Sequence, residues 1–496
     1  MILQCLCTLL KPQALSKIRI YLIFQKVQIA SSQIQFFTFY LMKKDHTFKF
    51  LCLLAIATTS IAAIVSCSES NQEIATPPAV TTSSQSATTA IAPSPSLKAI
   101  APEFTLAPLE PPKSPINAQV QSYINRLVAL GGSLTTHGVW IQSGGRLLGS
   151  HQGTLALPSA SVTKVATTLV TLATFNPDHR FTTLIKYIGS IKNGVLQGDL
   201  IIQGGEDPFF VWEEAIAIGN LLTSKGIKRV SGNLVITGKF YMNFEASPRL
   251  AGDFLKQGLN SDLWNGDVEI QYRTLPANTP RPKITIDGEI KVLPMSPDGA
   301  KLIIDHDSLP LAELLKKMNR YSNNLMADML AESVGGAAVV AQKAADLAGV
   351  PRNEVQLVNG SGLGEANRMS PRAAVGIFLA IARYLKPYNM TVSDVFTVIG
   401  KDEGILDERK LPKLAVIKSG SLDSVSTLAG ALPTQKQGIV WFAIFNSGGD
   451  LQLFRSEQES LLNNFVENSG TVTSLPVELQ VSLKRRNETS LNKATN

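Results

Sequence analysis

Ser161 and Lys164 stand three residues apart in the stretch LPSASVTK, residues 157–164, where an apolar run, VATTLVTLATF, begins. If a helix starts near Ser161, both side chains lie on one face with Cβ atoms about 5–6 Å apart. A hydroxyl is a poor nucleophile at its own pKa and needs a base beside it. A lysine amine becomes that base when burial or a neighbouring cation lowers its pKa. The helix N-terminus adds backbone N–H groups that favour a developing oxyanion. The spacing can therefore draw a nucleophile and its activator from one helical turn. Ser-x-x-Lys alone is a weak signal, since an N-capping serine and a solvated lysine give the same letters.

Two later segments change the weight of the first. Ser322-Asn323-Asn324 interrupts a helical pattern, which puts polar side chains on a turn between helices. Lys418-Ser419-Gly420-Ser421 follows the apolar run LAVI, which places Lys418 at a strand end with Gly420 allowing close backbone approach. Singly, each reads as an ordinary turn or strand terminus. In this order they match the Ser-x-x-Lys, Ser-x-Asn and Lys-Thr-Gly set of penicillin-binding proteins and serine β-lactamases. The contexts LALPSASVTKVATT, GDLIIQGGEDP, VNGSGLGEANRMSPRA and KSGSLDSVSTLAG narrow the match. From about Val139 to Ser447 the chain resembles the D-alanyl-D-alanine carboxypeptidase/endopeptidase family. This is the penicillin-binding protein 4 type, among the class C low-molecular-mass penicillin-binding proteins. Two departures are mild. Asn323 stands where aspartate is frequent, and Ser419 replaces threonine while keeping the hydroxyl.

The resemblance implies a set of roles. Ser161 Oγ attacks a terminal D-Ala-D-Ala peptide bond of a peptidoglycan stem peptide, and Lys164 takes its proton. Ser322 relays a proton to the leaving amine beside Lys418. Lys418 and Ser419 hold the substrate carboxylate, with Gly420 between them and Ser421. Asn324 binds a substrate amide, and the backbone N–H groups of Ser161 and Ser421 form the oxyanion hole. β-Lactams become covalent inhibitors of the same serine. No metal or organic cofactor is implied. A β-lactamase is the nearest rival; it needs a deacylating carboxylate, and Glu206 and Glu365 are present but unplaced. A non-catalytic wall-binding lipoprotein on the same scaffold is a rival of another class. Other nucleophile arrangements fare worse. His46, His137, His151, His179 and His306 lack a Gly-x-Ser-x-Gly elbow or a zinc-ligand spacing, though a triad through His137 or His306 stays open. Asp207 and Ser361, in family-like turns, read as structural.

These residues need elements to hold them. AQVQSYINRLVAL has helical spacing, and GVWIQS and RLLGSHQG read as strands joined through Gly144-Gly145. KLAVIKSGSL, STLAGAL and GIVWFAIFNS look like three strands of an antiparallel meander, and SEQESLLNNFVEN like a closing helix. The expected fold class is α/β (α+β): antiparallel sheet flanked by helices, with a mixed subdomain inserted between the first and second motifs. The expected divisions are a catalytic part over 116–185 and 305–470, an insert over 186–304, and a frayed polar tail over 471–496.

Composition sets the outer limits. The chain has 496 residues, 44% of them hydrophobic, which supports a large core. Its net charge of +7 is concentrated at the start, where residues 1–67 hold seven basic side chains against one acidic. The remainder of the chain is nearly neutral and lacks a basic stripe, so nucleic-acid binding has no support. All four cysteines lie within the first 67 residues, which excludes a disulfide framework and thiol chemistry from the main body. Met42-Lys43-Lys44, an apolar run from Phe50 to Val65 and the small residues around Cys67 describe an export signal over 42–67. Cys67 is a lipidation candidate, which would tie the protein to a membrane in the periplasm. Residues 1–41 read as an upstream extension. Residues 68–115 hold nine of the 26 prolines and read as a disordered stalk.

Overall fold

The computed structural model describes residues 104–483 and 488–495. The expected extension, the export signal with Cys67, and most of the stalk lie outside them. Helix α1 (Pro115–Ala129) starts on a proline whose missing N–H costs nothing at the first turn, and Ser114 Oγ accepts from Ile116 N. Strands β1 (His137–Ser143) and β2 (Arg146–His151) form the expected hairpin, with Gly144 in the left-handed region at φ 54°. Helix α2 (Thr163–Phe175) comes after a 3-10 turn at Ala160–Val162.

The insert then supplies β3 (Thr182–Tyr187), β4 (Leu200–Gly205), α3 (Trp212–Ser224), β5 (Leu234–Lys239), α4 (Pro248–Gly258), β6 (Ile290–Val292) and β7 (Lys301–Asp307). Helices α5 (Leu311–Arg320), α6 (Asn324–Ser333), α7 (Ala337–Ala348) and α8 (Pro371–Leu385) lead to β8 (Thr397–Val398). The meander β9 (Val416–Leu422), β10 (Val425–Thr434) and β11 (Gly438–Ser447) is continuous, and α9 (Leu451–Ser469) closes it.

The first sheet has the order β8-β9-β10-β11-β1-β2 and is antiparallel throughout. Both its faces are covered, and its strands show why. Trp140, Ala429, Ala431, Trp441, Ala443 and Phe445 join the core under α2 and α8. Val139, Ile141, Leu428, Val440, Phe442 and Ile444 alternate with them and join the core under α1 and α9. A strand buried on both faces carries an unbroken apolar run, as GIVWFAIF does. The insert has its own core around Ile202, Ile216, Ile236 and Leu255. Its sheet has the order β6-β5-β4-β3-β7-β12, where β12 is Leu491–Ala494.

That last strand corrects the expectation of a frayed tail. β12 pairs antiparallel with β7, with Asn492 opposite His306 and Lys493 opposite Asp305. LNKA is too short and polar to announce itself, and its partner lies far back in sequence. The buried His306 sits between three elements. Its Nδ1 is 2.8 Å from Asn492 Oδ1, and its Nε2 is 3.6 Å from Asp207 Oδ2, a charge contact too long for a hydrogen bond. Burial works against the imidazolium, but Asp207, Glu214 and Asn492 outweigh it and raise the His306 pKa. The raised pKa means that the cluster stabilises the fold fully below about pH 6.5, and loses that contribution as pH climbs through the folded value. Deleting residues 488–496, which removes β12 and Asn492 but leaves Asp207 and Glu214, should lower Tm by about 2–4 °C, slightly more at pH 6 than at pH 8, in differential scanning fluorimetry.

The stalk also ends earlier than 115. Phe104 packs edge-on against Trp441 with centroids 6.2 Å apart, Ala107 N donates to Gln142 Oε1, and Gln142 Nε2 donates to the Thr105 carbonyl. Two apolar side chains in an otherwise Pro- and Ser-rich stretch suffice to dock its end. The insert likewise begins before 186, because β3 starts at Thr182 and pairs with β7.

Candidate active site

Ser161 does not open the α-helix. It lies in the 3-10 turn before α2, and Lys164 occupies the first turn of α2. The turn is held tightly. Ala160 has φ +44°, a region that L-residues seldom adopt. Gly362 lies against it: a Cβ there would meet the Ala160 carbonyl oxygen at 1.8 Å. Ser159 N donates to the Asn367 carbonyl, and Thr427 Oγ1 on β10 donates to the Ser159 carbonyl. Backbone strain of about 1–3 kcal/mol persists only where the surroundings over-determine it, and such residues gather at functional sites.

Lys164 is wholly buried. Its Nζ lies 2.9 Å from Ser161 Oγ, 2.7 Å from Asn324 Oδ1 and 2.8 Å from the Ser361 carbonyl oxygen. A lysine ammonium has three N–H donors, one for each of these oxygens. Once deprotonated, Lys164 would keep two N–H groups for Asn324 and Ser361 and could turn its lone pair to Ser161 Oγ. Burial, then the nearby Lys418, pushes the Lys164 pKa well below the ordinary lysine value, while Asp328 opposes them.

The second and third segments meet one another. Ser322 sits between α5 and α6 at φ +53°, and Asn323 Oδ1 caps α6 by accepting from Met326 N. Lys418 lies within β9 rather than at its end, because Gly420 continues the strand to Leu422. Lys418 Nζ donates to Ser322 Oγ at 2.9 Å and to the Ser419 carbonyl at 2.7 Å. Burial lowers its pKa to about 7. Gly420 brings β9 against the nucleophile turn, since a Cβ there would meet Ser161 N at 2.6 Å and Thr427 Oγ1 at 2.4 Å. Gly420→Ala must push β9 away from Ser161. A displacement near 1 Å is expected to cut the acylation rate by about 10²-fold, with Tm little changed, in a fluorescent-penicillin assay.

The structure thus brings Ser161, Lys164, Ser322, Asn324, Lys418 and Gly420 into one connected set. Ser419 contributes a carbonyl to it and is largely buried. The Ser421 side chain turns away, its Oγ accepting from Arg455 Nη2 on α9, so only its backbone can serve the cleft. Two contacts escape a reading of the sequence. Asn324 grips Lys164 through Oδ1, and Ser361, expected to be structural, supplies a carbonyl. A backbone acceptor leaves no signature in residue type.

The alternatives in the sequence are placed elsewhere. His137 meets Phe454 and accepts from Asn446, and its pKa falls to about 4 through burial. His151 lies against the Leu134 carbonyl, and His179 stacks on Phe175. With His306 in the insert, no triad forms around Ser161 among the described residues. Glu206 pairs with Lys239, and Glu365 accepts from Ser424. A cavity of about 590 Å³ lined by Phe104, Pro433, Ile439 and Trp441 holds none of the motif residues.

A serine in a 3-10 turn, followed by a helix carrying a buried amine and packed on one face of an antiparallel sheet, is the fold of penicillin-recognising serine enzymes. The chain belongs to the D-Ala-D-Ala carboxypeptidase 3 (S13) family, matched over residues 116–261 and 269–467, and is a serine-type carboxypeptidase. It is 23% identical over 418 residues to D-alanyl-D-alanine carboxypeptidase DacB of Haemophilus influenzae, covering 62% of this chain and 84% of that one. Among solved structures it is similar to penicillin-binding protein 4 of Haemophilus influenzae, with TM-score 0.52 and 21% identity, covering 69% of this chain and 99% of that one. It is also similar to a penicillin G-acylated predatory endopeptidase of Bdellovibrio bacteriovorus, with TM-score 0.58 and 20% identity, covering 68% and 94%.

Proposed function

We propose that the chain releases the terminal D-alanine of peptidoglycan stem peptides through an acyl-enzyme on Ser161. One observation carries the assignment: the wholly buried Lys164 amine lies 2.9 Å from Ser161 Oγ, with Asn324 Oδ1 and the Ser361 carbonyl as its other two partners. Ser161 Oγ attacks the carbonyl as its proton passes to Lys164. The backbone N–H groups of Ser161 and Ser421 receive the oxyanion, a contact worth about 3–4 kcal/mol per donor. Ser322, held by Lys418, passes a proton to the leaving D-alanine amine. Lys418 and the Ser419 hydroxyl bind the free carboxylate, a charge-assisted contact. Asn324, with Oδ1 committed to Lys164, offers its Nδ2 to a substrate carbonyl. Water then releases the acyl group.

The carboxylate site favours a chain end over an internal crosslink, and incubation with two purified muropeptides tests this. A pentapeptide monomer should lose one D-alanine faster than a crosslinked dimer is cleaved. Faster cleavage of the dimer would make the enzyme an endopeptidase first. The N-terminal segment supports export to the periplasm, with Cys67 as lipid acceptor. Metabolic labelling with an alkyne fatty acid should mark the wild type and spare Cys67→Ser; equal labelling of both would refute the anchor.

A further inference from the structure

Asp328 has no part in the roles above, yet it lies one turn along α6 from Asn324. Residues four apart share a helix face, with Cβ atoms about 5–6 Å from one another. Asn324 is the residue whose Oδ1 holds Lys164 Nζ at 2.7 Å. Asp328 Oδ1 is buried and has no hydrogen-bond partner among the described residues. A buried carboxylate oxygen without a donor is costly unless a nearby opposite charge offsets it.

The charge that can do so is the ammonium that Lys164 forms on taking a proton. Helix α6 packs against α2, and the field of Asp328 favours the charged form of Lys164. The other charged group whose field reaches this amine is Lys418 on β9, which disfavours it. The segment before Gly362 brings only the Ser361 carbonyl, and α6 brings the neutral Asn324 amide. Helices α5, α7 and α8, which also pack on α2, bring the neutral Asn319 amide, which donates to Thr168, and alanines and aliphatic side chains such as Leu315, Val340, Ala344 and Ile377.

We propose that Asp328 is a positioning residue for acylation, acting through Lys164 by stabilising the ammonium formed when that amine takes the Ser161 proton. The inference rests on Lys164 as the base. In the step, the Ser161 Oγ–H bond breaks and an Nζ–H bond forms. The Oγ electron pair makes the bond to the substrate carbonyl carbon, and the carbonyl π pair becomes the oxyanion. The ammonium is positive for the life of the tetrahedral intermediate, in a site that already holds Lys418. A fixed carboxylate one turn from Asn324 opposes that repulsion and keeps Lys164 a strong enough base to accept the proton.

The test is the second-order rate of acylation by a fluorescent penicillin, measured from pH 5 to pH 9 for wild type, Asp328→Asn, Asp328→Glu and Lys164→Met. Asp328→Asn should lower the plateau rate by about 10–100-fold and move the acid limb to lower pH, because a weaker base also loses its proton earlier. Asp328→Glu should restore most of the rate and the position of the limb. An Asp328→Asn enzyme with an unmoved limb overturns the proposal, whether or not its rate falls. Failure of the glutamate to rescue does so as well. Should the asparagine variant not fold, Asp328→Ser gives the same readout. If Lys164→Met acylates as fast as wild type, the base assignment itself fails, whatever Asp328→Asn shows.

Discussion

Ser161→Ala leaves no penicillin label on the protein and lowers D-alanine release by about 10⁴-fold or more. The size of the loss reflects the position of this hydroxyl. A serine hydroxyl that forms a covalent intermediate has no substitute in its own site, and what survives its removal is the effect of binding and oxyanion donors alone. The other hydroxyls near the turn are committed. Ser159 Oγ lies 2.8 Å from Thr163 Oγ1 and donates to the Asn367 carbonyl, and Ser322 Oγ accepts from Lys418. Neither can move into the place of Ser161 without breaking its own contacts. The fold should tolerate the change, because the methyl fills the Cβ position in a turn fixed by Ala160, Gly362 and Thr427. The measurement is gel fluorescence with a labelled penicillin beside the Tm of both proteins. Undiminished label on Ser161→Ala contradicts the assignment.

Lys164→Met has the second largest effect. Methionine nearly conserves the volume of the buried side chain, so the cavity penalty is small. What is lost is the lone pair that receives the Ser161 proton, and general-base catalysis of this kind contributes about 10²–10⁴-fold. Asn324 Oδ1 and the Ser361 carbonyl lose their donor at the same time. The pH profile separates chemistry from packing. In the wild type, acylation falls at low pH as Lys164 becomes protonated, at a pH well below the ordinary lysine value because burial and Lys418 both disfavour the cation. In Lys164→Met that limb disappears. The alkaline side belongs to Lys418: as it loses its proton near pH 7, carboxylate binding weakens and KM should rise, in both proteins. A methionine variant that keeps more than a tenth of the acylation rate, with the acid limb intact, would remove Lys164 from the base role.

The chemistry was more legible than its supports. Ser161 with Lys164, Ser322 with Asn324, and Lys418 with Gly420 each sit in a short segment whose residue types state what they offer. The β1–β2 hairpin, the β9–β11 meander and α9 were legible because their signals are local: a Gly-Gly turn, apolar runs of strand length and helical spacing. The rest is held by contacts that residue type does not reveal. β12 exists because β7 offers an edge and His306 a partner, not because LNKA favours a strand. The docking of 104–107 depends on Trp441 and Gln142, which lie far along the chain. Ala160 and Ser322 adopt left-handed backbone that neither residue prefers. Ser361 serves through a carbonyl that any residue carries.

The central claim is that Ser161 is the acylated residue. It is tested most directly by incubating the protein with benzylpenicillin, digesting it and locating the adduct by tandem mass spectrometry. The account predicts one penicilloyl group per chain, on Ser161. An adduct on Ser159 or Ser322, or a protein that stays unmodified at saturating drug, would contradict it.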